Sequence, residues 1–326
     1  MSGSTFMSDQ VKEIRAVHLQ TSNVTIAGTE FNGFMHTDIG AAVYSQNSNT
    51  DVESSMFRNN VADQGAGIYM DCMDADLCTY TVMDTEFTNN TAHTMGAAMA
   101  FNFYSPSLSG NTFTDNTAPY GEEVASYAKK ISLVSNLAEQ YVSGQAVEQP
   151  IIFQLLDVND NPILTDTDSV LTISSVDQTV AKVIGNTDVT NAQFTDITFI
   201  AAPGTANIEY QVSSSNIDLD RLETALGITE EEVISVISVD FRECIRGEEQ
   251  KNDMCNKCPQ GKYSLEAGAD ECLICPKNTY CEGGDVIRVN EGFWRSGILS
   301  DQIHECLADG ACLGDDGSTD ADEIPY

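Results

Sequence analysis

The sequence predicts an all-β protein in three parts: a parallel β-helix, then a β-sandwich, then a small disulfide-rich module. Three observations predict this order. A motif built on Phe, Asn, Ala and Gly recurs through about the first 125 residues. Short β-branched and aromatic runs separated by turn residues follow, as in sandwich domains. Eight of the ten cysteines then fall between Cys244 and Cys312.

The repeat in residues 1–128 is anchored on phenylalanine. The spacings are 25, 26, 30 and 26 residues, for Phe6, Phe31, Phe57, Phe87 and Phe113. A period near 26 is too short for a propeller blade or a helix pair, and helical periodicity is absent. Each repeat would then be one coil of short strands, and coils would stack about 4.8 Å apart. The sequence therefore predicts a solenoid of about five coils with Phe stacked inside.

Other positions of the repeat are fixed relative to each Phe. Asparagine follows three residues after the last three copies, at Asn60, Asn90 and Asn116. Glycine follows after eight or nine residues, at Gly40, Gly65, Gly96 and Gly121. Stacked Asn side chains can form a hydrogen-bonded ladder, and Gly permits tight corners. The long spacing contains "MDCMDADLCTY", a loop insertion that we expect to be closed by a disulfide between Cys72 and Cys78.

The pattern F-x-[ND]-N-x-A-x(2–3)-G-[AG]-[AG]-[IVM]-[YA] resembles the repeat of polymorphic outer-membrane-protein-type right-handed β-helices. The resemblance implies a right-handed parallel β-helix. Ala or a Gly-Ala pair replaces the double glycine of that family, and the last copy departs from it at Gly121-Glu122-Glu123. The first coil, "SGSTFMSD" (2–9), matches "SGNTFTDN" (109–116). We therefore expect residue 1 to lie inside a repeat and the chain to be a fragment of a longer protein.

The sequence pattern of residues 129–242 differs from that of the repeats. Short predicted strands alternate with turn signals, which predicts a β-sandwich. The stretch "NAQFTDITFIAAPG" (191–204) resembles immunoglobulin-like or filamin-like modules of surface proteins. One helical excursion is predicted over residues 219–233, where Thr229 and Glu232 fit a capping box. The run "EVISVISVDF" predicts a strand that leads out of the sandwich.

Residues 243–314 hold the dense cysteines, which indicate disulfides and an oxidising compartment. "CNKCPQGKYSLEAGADECLICPKNTYCEGG" (255–284) resembles the ephrin-receptor-like cysteine-rich module. The spacing C-x2-C-x13-C-x2-C also fits a zinc site, but that site would leave other cysteines unexplained. Eight cysteines allow 105 pairings, so the pairing stays open. All ten cysteines are predicted to form disulfides: Cys72, Cys78, Cys244, Cys255, Cys258, Cys272, Cys275, Cys281, Cys306 and Cys312. Residues 315–326 are an acidic tail or linker.

The charge of the chain and its targeting signals limit where the protein can be located in or outside the cell. Fifty acidic residues against fifteen basic ones give a net charge of −35, which opposes binding to nucleic acid or anionic membrane surfaces. Two sequons permit N-glycosylation, at Asn23 and Asn89. The first residues lack the apolar core of a signal peptide, and no run approaches the ~20 apolar residues of a membrane span. We expect an extracellular or cell-surface segment, joined to a membrane only through segments outside this chain.

The stretch "DVNDNP" (157–162) is the candidate calcium site. Its oxygen-bearing side chains at Asp157, Asn159, Asp160 and Asn161 resemble the calcium-binding linker of cadherins. Asp, Asn and Pro are equally typical of a hairpin turn, which is the favoured interpretation. No other cofactor is predicted.

Enzymes built on right-handed β-helices act chiefly on polysaccharides and need paired carboxylates, or calcium plus a base, on one face. The candidates here are His36, His93, Asp63 and Asp84. We favour turn roles for them, since the sequence has no nucleophile elbow, phosphate loop or HExxH. The expectation is that the chain is not an enzyme.

The function expected from these parts is structural or adhesive, in a surface filament or appendage. The resemblances place such parts in large surface proteins of unicellular eukaryotes. The expected partners are other surface or matrix proteins, glycans or further copies of the chain. A polysaccharide-binding or polysaccharide-cleaving β-helix is the first alternative, and a receptor ectodomain is the second.

Overall fold

The computed structural model describes residues 1–8, 14–74, 76, 78–163, 169–214, 217–308 and 310–314. Its architecture confirms the all-β prediction. A parallel β-solenoid comes first, antiparallel sheets follow, and the disulfide-rich region is last. Helix within the described residues is confined to two short segments in the middle part. None of the described helices has the length and apolarity needed to cross a membrane.

Short strands build the solenoid. Their bounds are β1 (Thr5–Met7), β2 (Val17–Gln20), β3 (Asn23–Ala27), β4 (Glu30–Asn32), β5 (Val43–Gln46), β6 (Asn49–Glu53), β7 (Met56–Arg58), β8 (Val61–Gln64), β9 (Ile68–Asp71), β10 (Tyr80–Met83), β11 (Glu86–Thr88), β12 (Thr91–Met95), β13 (Met99–Phe101), β14 (Ser107–Ser109), β15 (Thr112–Thr114) and β16 (Val124–Ser126). They stack as parallel columns, in the orders β1-β4-β7-β11-β15, β3-β6-β10-β14, β2-β5-β9-β13-β16 and β8-β12. The longest columns correspond to about four full turns.

The Phe repeat lies inside the solenoid in strict register. Each Phe pairs with the one in the next coil, and neighbouring ring centroids are 4.9–5.4 Å apart with nearly parallel planes. Phe31, Phe57 and Phe87 are fully buried. Each repeat is therefore one coil, which explains why the motif recurs.

The predicted Asn ladder is present and buried. The side-chain N–H of Asn60 donates to Oδ1 of Asn90 at 2.9 Å, and that of Asn90 donates to Oδ1 of Asn116 at 2.9 Å. Asn90 also donates to the carbonyl of Phe57 at 2.9 Å and accepts the backbone N–H of Asn60 at 3.1 Å. Each amide thus satisfies backbone groups that the corner would leave unpaired inside the solenoid.

Glycine closes another corner of the coil. Its φ is 58–64° in four successive coils, at Gly40, Gly65, Gly96 and Gly121. This is the left-handed region, which glycine enters at little cost. A Cβ at Gly96 would lie 2.3 Å from the carbonyl oxygen of Met99. The sequence keeps Gly at this position because both the backbone angle and the space require it.

The middle part is built of antiparallel strands. Their bounds are β17 (Ala128–Leu133), β18 (Ile151–Asp157), β19 (Pro162–Ile163), β20 (Leu171–Ser175), β21 (Ala181–Gly185), β22 (Asp188–Val189), β23 (Gln193–Phe194), β24 (Ile197–Ala201), β25 (Ile208–Ser214) and β26 (Ser235–Val239). The sheets are β17-β18-β19 with β23 beside β18, then β22-β20-β25-β26, and β21-β24. All of them contribute to one apolar core, as a sandwich requires. Phe103 of the solenoid also packs into that core.

The predicted helical excursion is two helices, α1 (Leu219–Leu226) and α2 (Glu230–Val233). The first ends at Gly227, which has a φ of 65°. The predicted capping box starts the second, where the backbone N–H of Thr229 donates to the Glu232 carboxylate at 2.9 Å. The sequence predicted one continuous segment, and the left-handed glycine divides it.

The last part is a series of two-stranded hairpins. Their strands are β27 (Glu248–Lys251), β28 (Met254–Lys257), β29 (Lys262–Tyr263), β30 (Leu273–Ile274), β31 (Thr279–Gly283), β32 (Val286–Val289), β33 (Phe293–Trp294) and β34 (His304–Glu305). Its own apolar core is small and centres on Tyr263, Cys281 and Ile287. Such a core cannot stabilise a fold alone, so the disulfides carry much of the stability.

Candidate functional site

The predicted calcium stretch is the turn between β18 and β19, and it lies at the junction of solenoid and sandwich. Asp157 is only 1% exposed. Its Oδ1 accepts the backbone N–H groups of Asn159 at 2.9 Å and Asn161 at 2.8 Å. Its Oδ2 accepts the hydroxyl of Tyr120, from the last solenoid coil, and the side-chain N–H of Asn161 at 3.4 Å. Burial, together with this carboxylate, raises the pKa of the Tyr120 hydroxyl.

The other two candidate ligands face different partners. Asp160, at a φ of 64°, pairs with Lys130 at 2.9 Å and Lys129 at 3.2 Å. The hydrogen bond from Lys130 is the main cause of the lowered pKa of Asp160. Asn159 accepts a hydrogen bond from Ser105 of the solenoid at 3.3 Å. These contacts make the stretch a hairpin turn that ties the two parts together. Calcium binding here stays a prediction.

Replacing Asp157 by Asn should destabilise the protein by about 2 kcal/mol. One carboxylate oxygen would become an amide N–H group, which cannot accept the hydrogen bonds that this oxygen accepts now. Asp160→Asn is the matched control and should change the stability much less, since the Asp160 carboxylate is exposed to solvent. Both are measured by chemical denaturation. If calcium raises the wild-type thermal midpoint more than magnesium does, and Asp160→Asn removes that rise, the calcium interpretation replaces the turn.

A second junction was not anticipated from the sequence. Arg221 in α1 donates to Asp71 at the end of β9 at 2.5 Å, across 150 residues of chain. Asn102 donates to the same oxygen of Asp71 at 2.7 Å and to the carbonyl of Cys72 at 2.6 Å. The Arg221 guanidinium also lies 5.3 Å from the ring centroid of Phe103. This group fixes α1 against the solenoid beside the cysteine insertion.

Three of the four candidate residues for polysaccharide chemistry lie along the β8–β12 side of the solenoid, and the fourth lies at a corner elsewhere. Asp63 is in β8, and Thr94 from the next coil donates to its carboxylate at 3.2 Å. His36 and His93 belong to the same side of the solenoid, but one coil separates them. Asp84 lies at the corner between β10 and β11, with a φ of 49°. The two carboxylates are thus not paired on one face. The expectation that the chain is not an enzyme stays a prediction.

All ten cysteines are paired consecutively along the chain, the first with the second, the third with the fourth and so on: Cys72–Cys78, Cys244–Cys255, Cys258–Cys272, Cys275–Cys281 and Cys306–Cys312. The Cα–Cα distances of 5.3–6.3 Å are those of ordinary disulfides. A disulfide sulfur is not a thiolate ligand, so the zinc alternative does not fit this pairing. The same holds for the buried group of Cys244, Glu248 and Cys255, the metal-like cluster among the described residues.

Glu248 of that cluster instead holds the sandwich to the cysteine module. Its carboxylate accepts two hydrogen bonds from Arg242, at 2.7 and 2.8 Å, and the backbone N–H of Ile245 at 3.0 Å. The bond from Arg242 is the main cause of the lowered pKa of Glu248. Beside it, Ser143 of the middle part donates to the carbonyl of Asp253 in the module at 2.5 Å. The predicted boundary near residue 242 is therefore a packed junction.

Acid should weaken this junction through Glu248. Because its pKa is lowered on folding, its contribution is complete above the unfolded pKa of about 4.3 and is lost as pH falls through the folded value. Glu248→Gln should remove that pH dependence and cost about 1–2 kcal/mol at neutral pH. The exposed Glu243→Gln is the control. An equal acid response of wild type and Glu248→Gln, in denaturation curves from pH 7 to 3, would contradict this assignment.

The two sequons lie on the outside of the solenoid. Asn23 is exposed, and its Oδ1 accepts a hydrogen bond from Asn49 at 2.6 Å. Asn89 is exposed too, at a φ of 53°, and its side-chain N–H donates to Asn59 at 2.6 Å. Both sites are sterically open to a glycan. Glycosylation of either remains a prediction.

Comparison of the chain with known protein families, with curated proteins and with solved structures finds no match.

Proposed function

We propose that the chain is a structural or adhesive segment of an extracellular or cell-surface protein. Its solenoid and sandwich form a stiff spacer, and the disulfide module continues it. Partners of this segment are other surface or matrix proteins or glycans. The observation that carries the proposal is that each part is joined to the next through buried or half-buried polar contacts.

The first joint supports stiffness because it is made at two separate places. Tyr120 donates to Asp157 at the turn, while Arg221 pairs with Asp71 beside the cysteine insertion. Two anchors resist rotation in a way that one linker cannot. Ser105 of the solenoid adds a hydrogen bond to the side-chain oxygen of Asn159 at 3.3 Å. A flexible hinge of the kind expected between independent domains would lack such contacts.

The second joint supports the same role. Arg242 and Glu248 form a two-point ion pair in which the Glu248 side chain is nearly buried. Paired hydrogen bonds of this kind fix direction as well as distance. Ser143 adds two contacts, because it also accepts the backbone N–H of Cys255 at 3.0 Å. A load applied to the module would pass into the sandwich through these groups.

The location is supported by the five disulfides, since such bonds persist in oxidising compartments. The test is the intact mass of protein from its native source, before and after reduction. We expect a gain of about two daltons for each pair on reduction, because each broken bond adds two hydrogens. Hexose-containing mass at Asn23 or Asn89 would add to this support. Ten free thiols in the native protein would overturn the extracellular assignment.

A further inference from the structure

The cysteine module presents an apolar side chain in a rigid setting. Strands β29 and β30 pair so that Ile274 lies opposite Lys262. Ile274 is 81% exposed, although its two-residue strand is flanked on both sides by disulfide-bonded cysteines, Cys272 and Cys275. The disulfides fix the strand before any partner arrives, which lowers the entropy that docking would cost.

An exposed aromatic ring continues this surface. The side-chain N–H of Gln260, two residues before Lys262, donates to the hydroxyl of Tyr280 in β31. Tyr280 is exposed, and so is Lys277 in the turn before it. The surface formed by Gln260, Lys262, Ile274, Lys277 and Tyr280 is called the module face below. It combines apolar groups with cations, as interaction sites on proteins often do.

The charge of the module face is opposite to that of the chain. Residues 254–265 and 272–281, which build the face, contain three lysines and no acidic residue. Acidic residues outnumber basic ones 50 to 15 in the whole chain. A local basic surface on such a polyanion favours an acidic partner surface over a basic one.

The sandwich carries an exposed apolar surface on strands β21 and β24. Val180 and Ile184 are 52% and 51% exposed. Ile200 of β24 lies opposite Lys182 and adds a half-buried apolar group. The surface formed by Val180, Lys182, Ile184 and Ile200 is called the sandwich face below.

Acidic residues flank the sandwich face at both ends. Asp177 lies in the turn before β21, where its carbonyl accepts the backbone N–H of Val180 at 3.2 Å. Asp196 directly precedes β24, and Glu148 lies beside it, because the residue before Glu148 donates to the first residue of β24 at 3.0 Å. All three acids are exposed, against the single base Lys182. The sandwich face is therefore apolar with an acidic rim.

We propose that the module face of one copy of this chain docks on the sandwich face of a second copy. Ile274 would pack against Val180 and Ile184, and the lysines of the module face would meet the acids that flank the sandwich face. Apolar groups at the centre and complementary charges around them are the arrangement of specific protein interfaces. The two faces differ, so the contact is heterologous and can repeat from copy to copy.

The inference rests on the proposed structural role and names a partner for it. Its test is analytical ultracentrifugation of the full chain at about 0.15 M salt, where long-range repulsion between the acidic copies is screened. The double variant Lys262→Glu with Lys277→Glu should associate about a hundredfold more weakly than wild type, because like charges would then meet. Ile274→Ser should weaken association about tenfold, because less apolar area is buried.

The matched control makes the same change of charge elsewhere in the module. Arg246→Glu with Lys251→Glu alters two exposed basic residues that are not part of the module face. We expect this variant to associate as wild type does. An equal loss of association in the control would overturn the proposal, because net charge alone would then explain the effect.

Exchanging the charges between the two faces gives the decisive result. Glu148→Lys with Asp196→Lys should block the sandwich face, so this variant alone should associate weakly. Mixed in equal amounts with Lys262→Glu and Lys277→Glu, it should restore association, because every contact in the mixture again joins opposite charges. Far-UV circular dichroism confirms that each variant is folded. A wild type that stays monomeric at high concentration would overturn the proposal, as would a monomeric mixture, and neither result would change the mass measurement that tests the location.

Discussion

Replacing Asn90 by alanine should destabilise the protein by about 3 kcal/mol or more. Asn90 is fully buried at the centre of the ladder. Its loss leaves the carbonyl of Phe57, the backbone N–H of Asn60 and the side-chain oxygen of Asn116 without this partner. Buried polar groups without a partner pay their full desolvation cost. Denaturant titration with circular dichroism measures the change.

Two further variants separate hydrogen bonding from shape. Asn90→Asp keeps the size but cannot donate from its carboxylate, so it should cost at least as much as Asn90→Ala. Asn89→Gly keeps the left-handed corner and removes only the exposed outer bond to Asn59, so it should cost under about 1 kcal/mol. Equal effects of Asn90→Ala and Asn89→Gly would mean that the inner ladder adds nothing beyond the outer one.

The solenoid could be predicted because every coil has the same packing requirements at the same positions. Each coil covers the one below, so the same position must hold the same kind of side chain in every coil. Phe57, Asn60 and Gly65 therefore recur at Phe87, Asn90 and Gly96, which the eye can find in one sequence. Even the departures were informative, because the 30-residue spacing marked the insertion that the Cys72–Cys78 disulfide closes.

The joints could not be predicted, because their partners have no local signature. In the sequence, Arg221 is one residue of the predicted helical segment 219–233, and Asp71 is the residue before Cys72. Neither position indicates that the two side chains form an ion pair. Their ion pair depends on how the sandwich is set against the solenoid, a long-range arrangement that no short pattern records. The turn at Asp157 was predicted from Asp, Asn and Pro, yet its bond to Tyr120 lay outside that pattern. The pairing of the cysteines was undetermined for the same reason.

The second large effect concerns the cysteine module. Replacing Cys258 and Cys272 together by serine should cost about 3 kcal/mol, the value for a closed loop near 14 residues. Both cysteines are almost fully buried, and the module has little other core. Trp294 is the single tryptophan of the chain and lies in this module. Its fluorescence therefore reports the module alone, while circular dichroism follows the solenoid and sandwich.

The matched control replaces Cys306 and Cys312 together by serine. Their disulfide spans a sequence separation of 6, and both cysteines are half-buried. The shorter loop should cost about 2 kcal/mol, less than the buried pair. If the Arg242–Glu248 joint couples the module to the sandwich, loss of Cys258–Cys272 should also lower the circular dichroism midpoint. A tryptophan transition that shifts alone would show that the module unfolds independently. The stiff spacer would then end at the sandwich, because load cannot pass through a joint whose far side has already unfolded.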